Sequence, residues 1–162
     1  MKEIFQRKLF NYLFSKKIEN FVGVPDSTMK YFIDEGIKKK KIIIATREEE
    51  AIGICTGMIL SHSPSLVFMQ NAGFANSIST IASLVQLYEI PMIFLIGWRG
   101  YKKTDAPEHI KIGKIQPELL SSLNLKSRII NEKNWKVNSN WAIKRMNEKK
   151  SSALIIRRMK DE

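Results

Sequence analysis

The chain has 162 residues, of which 44% are hydrophobic and 27% are charged. This balance is typical of a globular protein and excludes a disordered or fibrous chain, and the length predicts a single domain over 1–162. The only cysteine, Cys55, excludes a disulfide framework and a multi-cysteine metal site, and it favours a reducing, cytoplasmic location.

The formal net charge is +11, from 27 basic and 16 acidic residues. Such an excess is found in proteins that bind nucleic acid, an acidic partner or an anionic substrate. The basic residues are scattered, however, and runs such as KKKK at 38–41 contain no stacking aromatic residues. We therefore expect no nucleic-acid partner, because nucleic-acid binding needs a basic patch or stripe. We also expect no membrane association, since the longest apolar run, 90–98, is shorter than the roughly 20 residues that span a bilayer.

Helices and strands alternate along the first two thirds of the sequence. From the N-terminus, the pattern predicts a helix at 3–17, a strand at 21–24, a helix from Asp26 or Ser27 to about Gly36, a strand at 41–46, a helix at 48–61, a strand at 65–70, a helix at 76–88 and a strand at 91–96. The run KIIIAT at 41–46 is β-branched and continuous, which is typical of a strand buried on both faces. Cys55 lies at helical spacing among apolar residues and is predicted to be a core residue.

A long polar stretch, 97–114, follows the fourth strand and shows no clear periodicity. We predict a loop there, and ordered loops longer than about 12–15 residues are often functional. The remaining elements are predicted as a helix at 116–122, a strand at 127–131, a helix at 138–149 and a strand at 153–157. Strands separated by helices indicate an α/β fold, a three-layer doubly wound parallel sheet of about six strands.

In such sheets, ligands bind beyond the carboxyl ends of the strands. The polar or glycine residues that follow the first four strands are Pro25, Asp26 and Ser27, then Glu48 to Glu50, then Gln70, Asn71 and Gly73, and finally Arg99 and Gly100. Each group also has a structural interpretation. Acidic residues are favoured in the first turn of any helix, and amides and glycines are ordinary turn residues. The basic side chains of 97–114 suit an anion, but a solvated lysine-rich loop has the same composition.

Several familiar motifs are missing from the sequence. It contains no GxGxxG or GxxxxGK[ST] phosphate-binding loop and no GxSxG nucleophile motif. Its two histidines, His62 and His109, do not have the spacing of a metal site, so no metal ligand is predicted within the chain. Gly53 and Gly57 lie one turn apart on one predicted helix, which is typical either of a subunit interface or of a tight helix–sheet contact.

Five segments in this order resemble the pyrimidine-binding (PYR) domain of the thiamine-diphosphate decarboxylases of phosphonopyruvate and sulfopyruvate: FVGVPDSTMK, TREEEAIGICTGM, FMQNAGFANSI, IPMIFLIGWRG and DAPEHIKIGK. The resemblance covers about residues 5–120. TREEEAIGIC is most similar to the α subunit of the sulfopyruvate enzyme, whereas GWRG and DAPEHIKIG are more similar to the phosphonopyruvate enzyme.

The resemblance implies a chemical role for Glu48. Family members place a glutamate after the second strand, an alanine three residues later and a glycine nine residues later, and Glu48, Ala51 and Gly57 fit this frame. Such a glutamate hydrogen-bonds the aminopyrimidine ring of thiamine diphosphate and so helps to generate the cofactor's nucleophilic carbon. We expect cofactor contacts from Glu48, Pro25, Asn71 and Gly73, and substrate contacts from Ser27, Gln70, Asn71, Arg99, His109 and Lys111.

The resemblance also implies a partner subunit. Relatives hold the diphosphate and Mg²⁺ with a separate domain that carries a GDG…N motif, and this sequence contains no GDG. We expect the chain to be the α subunit of a hetero-oligomer with at least two α chains, in which a β subunit supplies that domain. Helix 48–61 is expected to leave apolar surface exposed when the chain is alone.

The expected reaction converts 3-phosphonopyruvate to phosphonoacetaldehyde and CO₂. This small keto acid carries a second anionic group, for which the cationic side chains of 97–114 are candidate donors. The alternatives are sulfopyruvate decarboxylation to sulfoacetaldehyde, and a noncatalytic module that retains the fold.

Overall fold

The computed structural model describes residues 3–102 and 104–157, so Lys103 and the two ends of the predicted domain, 1–162, lie outside the described residues. The strands are β1 (Asn20–Gly23), β2 (Ile42–Ile44), β3 (Ser65–Gln70), β4 (Ile93–Trp98), β5 (Ser127–Ile130) and β6 (Ser152–Arg157). The helices are α1 (Glu3–Ser15), α2 (Lys30–Lys38), α3 (Glu48–Leu60), α4 (Asn71–Asn76), α5 (Ile78–Thr80), α6 (Pro107–Ser122) and α7 (Trp135–Asn147), with a 3₁₀ turn at Ser27–Met29 and a π-helical turn at Ile81–Gln86.

The described strands form one parallel sheet in the order β2-β1-β3-β4-β6-β5. Helices α1, α2 and α7 pack on one face, and α3, the helical stretch 71–86 and α6 pack on the other. The predicted three-layer α/β fold is therefore confirmed. The strand order reverses between β1 and β3, and a crevice at such a reversal is the usual ligand site in this architecture.

Two predicted features of the N-terminal half are wrong. Strand β2 has three residues at the edge of the sheet, and Ile44 is half exposed, so this strand is not buried on both faces. Gly36 does not end the second helix, which continues to Lys38. A Cβ atom at residue 36 would lie 2.5 Å from Ile42 and 2.6 Å from Phe10, so this glycine allows α2 to pack closely on the core.

Two helices begin at least five residues earlier than predicted, and α7 begins at Trp135 instead of 138. The helix after β3 begins at Asn71, so Gly73 is helical and not part of a turn. Helix α6 begins at Pro107, so only the first part of the predicted loop 97–114 is a loop. Gly100 has a positive φ of 70°, and its missing side chain lets the turn approach α6, because a Cβ there would lie 1.7 Å from the His109 carbonyl oxygen.

A proline within α6 explains how this helix is joined to β4. Pro117 has no N–H, so the carbonyl of Gly113, four residues earlier, lacks its helical donor. The indole Nε1–H of Trp98 donates to this carbonyl instead, at 2.8 Å. The end of β4 is thereby tied to the middle of α6.

Helix α3 carries apolar residues or glycine on almost every side. Cys55 is buried, as predicted, and burial raises the pKa of its thiol. Gly53 and Gly57 are exposed, and a Cβ at either would meet nothing within 4 Å, so they do not serve a tight helix–sheet contact. In the described part of the chain, no helix combines the length and apolar character that a membrane crossing requires.

Candidate functional site

The candidate residues of the first four strand ends lie at the carboxyl edge of the sheet, around the reversal between β1 and β3. Pro25 and Ser27 follow β1 and are exposed, Glu48 begins the helix after β2, Gln70 ends β3, and Arg99 follows β4. The fold thus brings residues that are up to about 70 positions apart to one edge.

The structure distinguishes the three consecutive glutamates. Glu50 accepts a hydrogen bond from the backbone N–H of Thr46 at 2.8 Å, which lowers the pKa of its carboxyl, and Glu49 lies 3.7 Å from Arg47. Glu48 is half-buried and has no hydrogen bond or ion pair within the described residues. Glu48 is therefore the one of these three carboxylates that is available to a ligand in a partly desolvated position.

Glu48 owes its position to Gly73 of α4. A Cβ atom at residue 73 would lie 2.2 Å from Glu48 Oε1 and 2.3 Å from Glu48 Cγ and Cδ. The carboxylate therefore lies in space that any side chain at residue 73 would fill. Gly73 thus makes room for Glu48, and its expected contact with the cofactor stays a prediction.

Asn71, a predicted ligand contact, uses its side chain to bind the backbone of its own chain. Asn71 is fully buried, its Nδ2–H donates to the Arg99 carbonyl at 3.0 Å, and its Oδ1 accepts from the Arg99 N–H at 3.1 Å. The side chain thus pairs with both backbone groups of Arg99, the residue that follows β4. Asn71 therefore supports the backbone at Arg99, and its contact with a ligand stays a prediction.

A buried carboxylate, Asp26, lies at this edge; its place after the first strand was predicted, but no ligand contact was assigned to it. It accepts hydrogen bonds from Thr28 Oγ1 and from Gln70 Nε2, the latter at 3.1 Å. Gly97 leaves room for this group, because a Cβ there would lie 1.9 Å from Asp26 Oδ2. The signal in the sequence was an acidic residue directly after a buried strand and proline. Asp26 fixes the side chain of Gln70.

Arg99 is held by a carboxylate of its own chain. Its Nε lies 3.0 Å from Asp105 Oδ2, its Nη2 lies 2.7 Å from Asp105 Oδ1, and the two side chains are 11% and 7% exposed. This guanidinium, with the N–H groups of Gly100 and Ala106, holds the pKa of the Asp105 carboxyl well below its usual range. Nη1 of Arg99 lies 3.4 Å from Ser27 Oγ, so this end of the guanidinium faces the turn that follows β1.

His109 and Lys111 belong to the first turns of α6, not to a loop as predicted. The His109 side chain is mostly buried, with Nε2 4.0 Å from Glu108 Oε1, and Lys111 is exposed. Within the residues that the structure describes, neither side chain makes a hydrogen bond or ion pair with Ser27, Gln70 or Arg99. Among those residues, no group of three or more His, Cys, Asp or Glu side chains could hold a metal ion.

Comparison with known proteins places this geometry in context. The family described as thiamine pyrophosphate enzyme, N-terminal TPP binding domain, matches residues 5–124. The chain is 38% identical to the sulfopyruvate decarboxylase subunit alpha of Methanocaldococcus jannaschii over 114 residues, which is 69% of this chain and 68% of that protein. It is 33% identical to the protein of the same name from Methanococcus maripaludis over 119 residues, which is 72% of this chain and 71% of that protein.

Two solved structures share the fold. A 2-oxoglutarate:ferredoxin oxidoreductase from Magnetococcus marinus superposes with a TM-score of 0.67 at 10% identity, over 97% of this chain and 29% of that chain. Benzoylformate decarboxylase from Polynucleobacter necessarius gives 0.64 at 13% identity, over 96% and 33%. At the sequence level, the relatives named above favour the alternative prediction, sulfopyruvate, over phosphonopyruvate.

Proposed function

Because the chain belongs to the thiamine pyrophosphate enzymes, and to their decarboxylase α subunits, we propose that its substrate is sulfopyruvate. It is a thiamine-pyrophosphate-dependent 2-keto acid decarboxylase subunit, and the reaction proposed for it gives sulfoacetaldehyde and CO₂. The identity of 38% and 33% to two sulfopyruvate decarboxylase α subunits carries the choice of substrate. A cytoplasmic location stays a prediction from the single cysteine.

The residues at the sheet edge fit one part of the cofactor. The half-buried Glu48 carboxylate lies in the space that Gly73 leaves open and has no partner within the described residues, as a group that must bind a ring N–H requires. Thiamine pyrophosphate, when bound, supplies the nucleophilic carbon and the electron sink for decarboxylation. Glu48 would hold a proton at the pyrimidine ring in this step. A carboxylate in a partly desolvated site makes a stronger hydrogen bond than one in water.

The substrate side of the site is assigned to Ser27, Gln70 and Arg99. Ser27 Oγ and Arg99 Nη1 lie together, and a guanidinium suits the oxygens of a carboxylate or sulfonate. Asp26 fixes the Gln70 amide, so that this group is oriented before the substrate arrives. Pro25, which is exposed two residues before Ser27, stays a predicted cofactor contact. His109 and Lys111 remain proposals for the outer part of the site.

The diphosphate and Mg²⁺ are proposed to lie on a partner subunit with a GDG…N motif. The described residues of this chain do not fit a divalent cation, and no step is derived through one. The names of the relatives, as α subunits, support the existence of a partner. The face of α3 is the surface proposed for its docking, since Gly53, Gly57 and Leu60 leave it apolar and open.

Co-expression of the chain with its GDG…N subunit tests the proposal. We expect a higher kcat/KM for CO₂ release from sulfopyruvate than from phosphonopyruvate. A clearly higher value for phosphonopyruvate would reverse the choice of substrate, and no decarboxylation of either acid by a thiamine-pyrophosphate-loaded complex would reject the proposed reaction.

A further inference from the structure

Arg157, at the end of β6, lies against two adjacent aromatic rings. Its guanidinium carbon is 4.7 Å from the ring centre of Trp98 and 4.1 Å from that of Tyr101. Trp98 is the register partner of Arg157 on the neighbouring strand β4, and the two rings are 5.4 Å apart. The arginine is thus fixed by rings that attract its charge.

This guanidinium has no anionic partner within the described residues. Its Nε is buried and makes no hydrogen bond. By contrast, Arg99 is paired with Asp105, and Arg128, which stacks at 4.5 Å on Trp141, donates to Asn138. A buried donor on a charged group is costly when it is unsatisfied, and such a group in a native protein points to a missing partner such as an ion.

An apolar groove of about 460 Å³ begins at Arg157 and lies between α6 and the sheet. Its apolar lining consists of Trp98, Pro117, Leu120, Leu125, Ile129 and Ile155. Ile129 belongs to the edge strand β5 and is partly exposed, so α6 leaves this part of the sheet uncovered. Lys126 adds a second cation to the lining. Pockets of this size and character, mostly apolar with a few polar groups, are typical of small-molecule sites.

We propose that this groove binds a small monocarboxylate with a short apolar tail, its carboxylate on Arg157 and its tail along Leu120 and Ile129. The groove lies beside β4, β6 and β5, whereas the site assigned to the decarboxylation lies around the reversal between β1 and β3, and no lining residue of the groove is assigned to that site. Trp98 lines the groove, whereas the next residue, Arg99, lies with Ser27 and Asp105. The proposal does not depend on the substrate of the enzyme.

Hexanoate is the probe for this site, and the indole N–H signal of Trp98 in NMR spectra of the full-length chain is the readout. We expect a saturable shift with hexanoate, and at least tenfold weaker binding of acetate, which lacks the tail. R157M, which keeps an apolar stem, should lower the affinity for hexanoate at least tenfold. R128M is the matched control, since Arg128 also stacks on a tryptophan but on the opposite face, and it should leave the affinity unchanged.

Several outcomes would overturn the proposal. These are the absence of a saturable shift, equal affinities for R157M and the unchanged chain, or binding of inorganic phosphate as tight as that of hexanoate, which would leave no role for the apolar groove. If R157M does not fold, Y101A replaces it, because Tyr101 is exposed and its loss should weaken hexanoate severalfold.

Discussion

The side chain of Glu48 lies against the backbone of Gly73, in the space that a side chain at residue 73 would occupy. A methyl group there would come within 2.2 Å of Glu48 Oε1. This contact joins the first turn of α3 to α4, and it places a carboxylate without a partner among the described residues at the reversal of the sheet. Glu49 and Glu50, which are engaged with Arg47 and Thr46, have no comparable position.

Replacing Glu48 should separate cofactor activation from assembly. Glu48→Gln keeps the size of the side chain but removes the charge that holds the ring proton, so we expect decarboxylation by the complex to fall by about 10²–10⁴-fold. Glu49→Gln is the control and should change the rate little. The measurement is CO₂ release at equal complex concentration. An unchanged rate for Glu48→Gln would contradict the assignment.

Gly73→Ala should act through Glu48. The added methyl group forces the carboxylate away, and a displacement of about 1 Å at a reacting group can cost about 10²-fold in rate. Because both changes remove the same interaction, we expect Gly73→Ala to lower activity far less in a Glu48→Gln background. Equal losses in both backgrounds would mean that Gly73 affects the site by another route.

The hydrogen bond from Trp98 to the Gly113 carbonyl should stabilise the fold only while residue 117 is a proline. Trp98→Phe leaves this carbonyl unsatisfied, which should lower the free energy of unfolding by about 1–3 kcal/mol. In a Pro117→Ala background the helix supplies its own N–H at residue 117, so the same substitution should cost less. Urea unfolding of the four chains measures the difference, and equal costs in the two backgrounds would contradict this account of the proline.

The Arg99–Asp105 pair predicts a pH dependence of stability. The Asp105 carboxyl has a lower pKa in the folded chain than its ordinary value of 3.8. Its contribution to stability is therefore complete above this value and is lost as the pH falls below it, toward the folded pKa. Asp105→Asn should make the decline in the free energy of unfolding shallower in this acidic range.

The same substitution leaves Arg99 buried without its carboxylate, which should cost about 3–5 kcal/mol at neutral pH. Asp34→Asn is the control, because Asp34 makes no hydrogen bond or ion pair within the described residues. Urea unfolding across the acidic range gives both quantities. If the free energy of unfolding of Asp105→Asn falls with pH as steeply as that of the unchanged chain, Asp105 is not the group that titrates.

Docking of the partner subunit on α3 predicts that a charge there will disrupt the complex. Leu60 is 65% exposed on α3, and Val137 is 66% exposed on α7, which covers the opposite face of the sheet. Leu60→Glu should weaken co-purification with the partner, because a charge would be buried at an apolar surface, whereas Val137→Glu should have no effect. The reverse order of effects would assign the interface to the other face.

The sequence predicted the order of the elements because the strands are continuous apolar runs and the helices between them have a clear period. Helix α6 was predicted to begin nine residues too late, at 116 instead of Pro107. Gly113 and Pro117 weaken helix propensity, and the contacts that compensate, such as the bond from Trp98, come from a distant part of the chain.

In the site, too, contacts with distant parts of the chain could not be predicted from the local sequence. Glu48 follows a strand in a recognisable frame, so its position at the sheet edge could be predicted. The role of Asn71 could not, because nothing local indicates that its amide side chain will bind the backbone of Arg99. Likewise, the pairing of Arg99 with Asp105 depends on a turn that is formed only once Gly100 approaches α6.

The two hydrogen bonds from Asn71 to the backbone of Arg99 have an entropic consequence. They join the residue after β3 to the residue after β4, so the start of the following turn is tied to the sheet. Ordering a loop or side chain on binding costs about 0.5–1.5 kcal/mol for each group immobilised. At Arg99, most of this loss of conformational freedom has already taken place during folding, and a ligand that binds there meets a backbone that is already ordered.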